Sequence, residues 1–102
     1  MFDYSISRKD DVTVFSLIGQ AKLQTANLFQ DALEKITSDP GKQVILDFAQ
    51  AEYLDSTGIA ILIRLKTNLD ERSIPVSLKN LSPEINKIFQ ITRLNDHFKI
   101  EK

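Results

Sequence analysis

The chain has no cysteine and no tryptophan, a single histidine, and only three residues each of glycine and proline. Without cysteine, neither a disulfide framework nor a thiolate metal site can form. One histidine, His97, cannot supply the roughly three protein ligands of a zinc enzyme, so no metal site is expected. An excess of one charge is also missing: 13 Lys and Arg against 14 Asp and Glu leave a formal net charge of −1. That balance sets up no field that would draw in nucleic acid or an anionic membrane surface. The longest apolar run, Ile59 to Ile63, is far short of the roughly 20 residues that span a bilayer. The opening MFDYSISRKDD lacks the apolar core of a secretory signal. The expectation is a cytoplasmic protein with neither nucleic acid nor membrane as partner.

What remains is an ordinary globular composition, 42% hydrophobic and 26% charged over 102 residues, enough for one domain over 1–102. YSISRK (4–9) alternates as an edge strand would, Asp10–Asp11 reads as a turn, and VTVFSLIG (12–19) is β-branched and closes on glycine. LQTANLFQDALEKI (23–36) places Ala26, Phe29, Leu33 and Ile36 at helical spacing, with Thr25 a candidate N-cap and SDPG a stop. QVILDF (43–48) reads as a strand covered on both faces, Ile59 to Leu69 as a helix and IPVSLKN (74–80) as a strand. SPEINKIFQI (82–91) opens with Ser82 as cap and Pro83 in the first turn, and HFKI (97–100) is a candidate last strand. The predicted fold class is α/β, in the order β-β-α-β-α-β-α-(β): a mixed four- to five-stranded sheet with helices packed on it.

The stretch YLDSTGIAIL (53–62) sets Asp55, Ser56, Thr57 and Gly58 at the mouth of an apolar helix. One reading is structural. Asp and Ser accept hydrogen bonds from orphaned N–H groups at a helix start, and Gly58 lets the turn leave sharply. The other reading is a chemical switch. Two enzymatic alternatives fail: a hydrolase elbow needs Gly two residues before Ser, where Leu54 stands, and a histidine base. A phospho-accepting aspartate at Asp47 needs an acidic pair beside it, and Asp10–Asp11 belong at the opposite sheet edge if the strands run parallel.

The longer string VILDFAQAEYLDSTGIAILIRLK resembles the central signature of STAS domains of the anti-sigma factor antagonist type. That signature is an apolar strand ending in Asp, a short loop, Asp-Ser-Ser/Thr-Gly and an apolar helix. Gly19, the pair Thr25–Ala26 and the closing VSLKNLSPEINKIFQITRLNDHFKI fall in register, so the resemblance spans nearly the whole chain. It implies a STAS fold and a protein that is not an enzyme and needs no cofactor. It also implies that Ser56 is the residue phosphorylated by a partner that is both anti-sigma factor and serine kinase, with a phosphoserine phosphatase reversing the step. Asp55, Thr57 and Gly58 are the matching neighbours. The unmodified form would bind the kinase and free a sigma factor, and the phosphorylated form would not. A non-switching STAS scaffold or accessory subunit of a transporter or stress-signalling complex is the alternative.

The pattern breaks after Gly19, where Gln20, Ala21 and Lys22 replace Glu-Leu-Asp. Lys22 reverses a charge at the expected contact, or is plain solvated surface. On the helix, Ile59, Leu62, Ile63 and Leu69 fall on the arc expected to face the sheet. Ala60 and Ile61 are candidate partner contacts, the bland alternative being that Ile61 and Leu65 widen the buried stripe.

Overall fold

The computed structural model describes residues 1–96 and 98–101. Phe2–Lys9 (β1) and Val12–Ala21 (β2) form an antiparallel hairpin. Its turn is Asp10–Asp11, both at positive φ (55° and 63°), the conformation that matches hairpin twist and that Asp tolerates better than most residues. A 3-10 turn, Leu23–Thr25, leads into Ala26–Ser38 (α1). Gln43–Leu54 (β3), Ser56–Glu71 (α2), Val76–Lys79 (β4), Pro83–Ile91 (α3) and Lys99–Glu101 (β5) follow. The sheet order is β1-β2-β3-β4-β5, with every pair after the hairpin parallel. Right-handed crossovers between consecutive parallel strands put all three helices on one face.

Burial follows that geometry. Thr13, Phe15, Leu17 and Ala21 of β2 and Val44, Leu46 and Phe48 of β3 are fully covered, while their alternate neighbours are only half-buried. Aromatic contacts fasten the helices to this face. Phe29 of α1 lies 6.3 Å from Phe15, and Phe89 of α3 meets Phe48 edge-on at 5.7 Å. The predicted α1 stripe is in place: Phe29, Leu33 and Ile36 are buried and Ala26 packs beside them.

Several boundaries shift by a few residues, and two of these shifts bear on the site. β3 runs on to Leu54 instead of stopping at Phe48, because the ladder with β2 continues through Gln50, Ala51, Tyr53 and Leu54. The register slips twice, between Ser16/Ile18 and Gly19/Gln20, and each time β3 carries one residue more than β2. Bulges of this kind bend a strand and are common beside functional sites. The second difference is α2, which begins at Ser56 and not at Ile59. The last strand is Lys99–Glu101; of the expected 97–100 stretch, His97 lies outside the described residues.

Candidate functional site

The site is built where β2 and β3 end together. Ala21 pairs with Leu54, both buried, and the next amide, Asp55 N–H, donates to the Ala21 carbonyl at 3.2 Å. The helix that starts here therefore cannot drift relative to the loop after β2. Asp55 is the N-cap of α2, with extended backbone, and its carboxylate bridges two elements. Oδ1 accepts from Gly58 N–H at 3.0 Å and Oδ2 from Leu23 N–H at 3.0 Å. Burial pushes the Asp55 carboxyl up, but the N–H donors of Gly58, Leu23 and Thr57 and the nearby Lys22 charge outweigh it and hold it below the usual carboxylate range. The group is an ionised clamp.

The loop facing it is fixed from the other side. The Thr25 hydroxyl donates to the Gln20 carbonyl at 3.0 Å and accepts from Lys22 N–H at 3.1 Å. Thr25 does occupy the N-cap position of α1, but its side chain ties down the Gln20–Lys22 loop instead of capping the helix. Gln20 N–H donates to the Met1 carbonyl at 2.8 Å. The predicted residues Gln20, Lys22, Asp55, Ser56 and Thr57 are thus brought together.

Ser56 is the first residue of α2 and is exposed. Asp55 performs the capping, and among the described residues the Ser56 hydroxyl makes no side-chain hydrogen bond. The chain offers this hydroxyl to solvent at a helix N-terminus, where added negative charge is tolerated.

Two expected partner contacts are corrected. Gly58 is buried, and a Cβ there would come within 2.4 Å of the Ala21 carbonyl oxygen. It is glycine because β2 and α2 approach so closely, and it offers nothing to a partner. Ile61 is 5% exposed and lies with Leu62, Leu65 and Leu69 in the buried stripe, so it too is core. The outward isoleucine is Ile63, 42% exposed, although the helical spacing predicts it to face the sheet. Ala60 is exposed as expected. Ser56, Ala60 and Ile63 follow at i, i+4 and i+7, one above another on the same helix face.

Leu23, 68% exposed, and Tyr53, 47% exposed, flank the site and were not anticipated. Leu23 opens a 3-10 turn ahead of α1 and is turned out to solvent there. Tyr53 was hidden in what reads as a loop. Lys66, at the margin of the buried stripe, pairs with Asp70 at 2.5 Å. Asp47 accepts from Ala49 N–H and Asn80 Nδ2 at 2.9 and 3.0 Å. Asp10–Asp11 lie before the amino end of β2, whereas Asp47 pairs with Ser16 in the middle of that strand and not at a carboxyl end. No helix of the described residues is long and apolar enough to cross a membrane.

Comparison with known proteins places these features in context. The family model described as STAS domain matches residues 3–102. A STAS-domain containing protein of Pseudomonas aeruginosa is 36% identical over 72 residues, 71% of this chain and 70% of that protein. An anti-sigma-B factor antagonist of Listeria monocytogenes is 28% identical over 92 residues, 90% of this chain and 80% of that protein. Among solved structures, an anti-sigma factor antagonist from Mycobacterium paratuberculosis superposes with a TM-score of 0.85 at 20% identity, covering 98% of this chain and 85% of that one.

Proposed function

This chain belongs to the STAS domain family, and on that premise we propose that it is an anti-sigma factor antagonist whose binding is controlled by phosphorylation of Ser56. The unmodified form docks on an anti-sigma factor that is also a serine kinase, releasing a sigma factor. The phosphorylated form does not dock, and a phosphoserine phosphatase restores it. The chain is the kinase's substrate, needs no cofactor of its own and works in the cytoplasm.

The observation that carries this reading is the division of labour at the start of α2: Asp55 caps the helix and Ser56 stands exposed with its hydroxyl unengaged. A serine needed for capping would have to break a structural bond to accept phosphate, and this one does not. The docking face consists of Ser56, Ala60 and Ile63 on α2, with Thr57, Leu23, Tyr53, Gln20 and Lys22 around them. Gly58 and Ile61 support it from beneath.

Phosphate brings about −1.5 to −2 charges. Near the positive end of a helix dipole this is mildly favourable within the domain, by about 0.3–1 kcal/mol. The ionised Asp55 next door opposes it, and Lys22 offsets part of that repulsion. Folding is barely affected. Buried against a partner without a matching cation, the same charge costs roughly 3–5 kcal/mol, about two to three powers of ten in affinity. The switch therefore acts on docking. Lys22, a cation beside the Asp55 carboxylate, suits a partner with an acidic group at that point.

The test is to incubate the protein with candidate kinase and ATP, locate phosphate by mass spectrometry and measure binding of Ser56→Ala and Ser56→Glu. Phosphate is expected on Ser56, with constitutive binding by Ser56→Ala and a hundredfold or greater loss for Ser56→Glu, roughly as the charge-burial cost requires. Equal affinities would mean that the chain is a constitutive scaffold or accessory subunit, with Ser56 merely part of the contact.

A further inference from the structure

β1 is an edge strand of eight residues without proline, and its outer backbone groups are not paired with another strand. Their identity follows from the hairpin register. Gln20 N–H donates to the Met1 carbonyl, which extends the β1–β2 ladder (Phe2 opposite Gly19) by one hydrogen-bonded pair. Hydrogen-bonded pairs alternate along an antiparallel ladder. The odd-numbered residues of β1 therefore bond to β2, and Phe2, Tyr4, Ile6 and Arg8 aim their N–H and C=O groups away from the sheet. In agreement, Tyr4 N–H is off the ladder and bonds to the Asp3 carboxylate at 2.8 Å.

We propose that this edge pairs with a second copy of the chain, β1 against β1 antiparallel about a two-fold axis at Ile6, joining two five-stranded sheets into one. Only registers that set even residues opposite even residues let the outward groups bond, so few alignments are allowed. Centred on Ile6, each Asp3 faces a Lys9 of the other copy on the open side of the sheet, and Ser5 faces Ser7. On the helix side Tyr4 faces Arg8, and the two Ile6 side chains meet. The neighbouring allowed registers lose this match. Centring on Ser5 puts Asp3 opposite Ser7, and centring on Ser7 puts Asp3 opposite Asp11. One register alone is charge-complementary to itself, as a two-fold interface requires.

Exposure points the same way. Ile6 is 40% exposed, and Leu28 of α1, which lines the groove beside Phe2 and Tyr4, is 56% exposed. Both would be covered by a copy added at this edge. Edge strands usually avoid such pairing by placing charge where it repels. Here Asp3 and Lys9 stand equally far from Ile6, with opposite signs. The opposite edge of the sheet, β5, is only three residues long. The interface is small, so the dimer forms at micromolar concentration and above, and its antiparallel geometry leaves the two Ser56 sites at opposite ends, both open.

The test is sedimentation of the whole chain from low to high micromolar concentration, with amide exchange measured at both extremes. Wild type should dimerise, with Tyr4, Ile6 and Arg8 amides becoming protected as it does. Ile6→Pro removes an N–H that β2 does not use, so it should leave the hairpin paired and abolish the dimer. Asp3→Lys or Lys9→Asp alone should weaken association about tenfold, since each affects two symmetric contacts. The double reversal should restore it, which decides the matter even if the proline variant fails to fold. A monomer at every concentration, a dimer that survives Ile6→Pro, or a double reversal no tighter than the single ones would overturn the proposal.

Discussion

Two helices of this protein start with a serine in the capping region, and the two serines have opposite fates. At α3, Ser82 is the N-cap itself: its Oγ accepts from Ile85 N–H at 3.2 Å, and Pro83 follows in the first turn. At α2 the cap has moved one residue back, to Asp55, and Ser56 is left with an exposed side chain that makes no hydrogen bond among the described residues. The residue type is the same and the helix dipole is the same. What differs is whether the hydroxyl's lone pairs are already committed. A serine that satisfies a backbone donor is a structural part, and a serine one place beyond an acidic cap is left available for the phosphorylation proposed above. Asp55 also reaches across to Leu23, so the α2 start is welded to a neighbouring loop, while among the described residues the Ser82 side chain bonds within its own first turn.

Three measurements break or sharpen that contrast. The largest effect is expected from Gly58→Ala. Its Cβ would need to displace the Ala21 backbone, so thermal or urea unfolding should show a loss of about 1–3 kcal/mol, and the weld at α2 should fail before the rest. Next comes cap deletion. Asp55→Ala and Ser82→Ala should each cost about 1 kcal/mol, the former toward the upper end because it also orphans Leu23 N–H. Ser56→Ala should stay within about 0.5 kcal/mol of wild type by the same measurement, as expected of surface positions. A Ser56→Ala loss equal to that of Ser82→Ala would erase the distinction. The smallest effect is in pH. The Asp55 carboxyl is held below its usual range, so its stabilisation is complete above an unfolded value of about 3.9 and disappears as pH falls through the lower folded value. Acid unfolding of Asp55→Asn should lose that component of the pH dependence, while Ser82→Ala should shift stability equally at every pH.

Much of this was legible in the sequence because it is local. The α1 stripe, the Ser82-Pro83 start and the Asp10–Asp11 turn are each settled by residues within one or two turns of one another. The continuation of β3 past Phe48 was not legible. Ala49 to Glu52 alternate only small alanines with polar side chains, a weak strand signal, and the segment is held as a strand because β2 extends alongside it, out of step by two bulges. The orientation of α2 was missed for a related reason. IAILI is apolar on every side and gives no amphipathic contrast, so the inward face is chosen by the anchor at Asp55 and Ala21, thirty-four residues apart in the chain, and not by the helix itself. Once that anchor is fixed, Ile61 goes in and Ile63 comes out. Of the site, Ser56 and its acidic neighbour were readable from a short string, while Leu23 and Tyr53 needed the three-dimensional ladder.

The pair of register slips in β3 has a consequence for how this chain tolerates changes of length. Each surplus residue is absorbed where it occurs, so paired positions downstream keep sharing a face and Leu54 still arrives inward beside Ala21. A chain shortened by one residue between Phe48 and Tyr53 would lose one slip and still set Leu54 opposite Ala21, with Asp55 kept at its loop. A chain shortened by both would deliver the same helix start, slightly closer to the sheet.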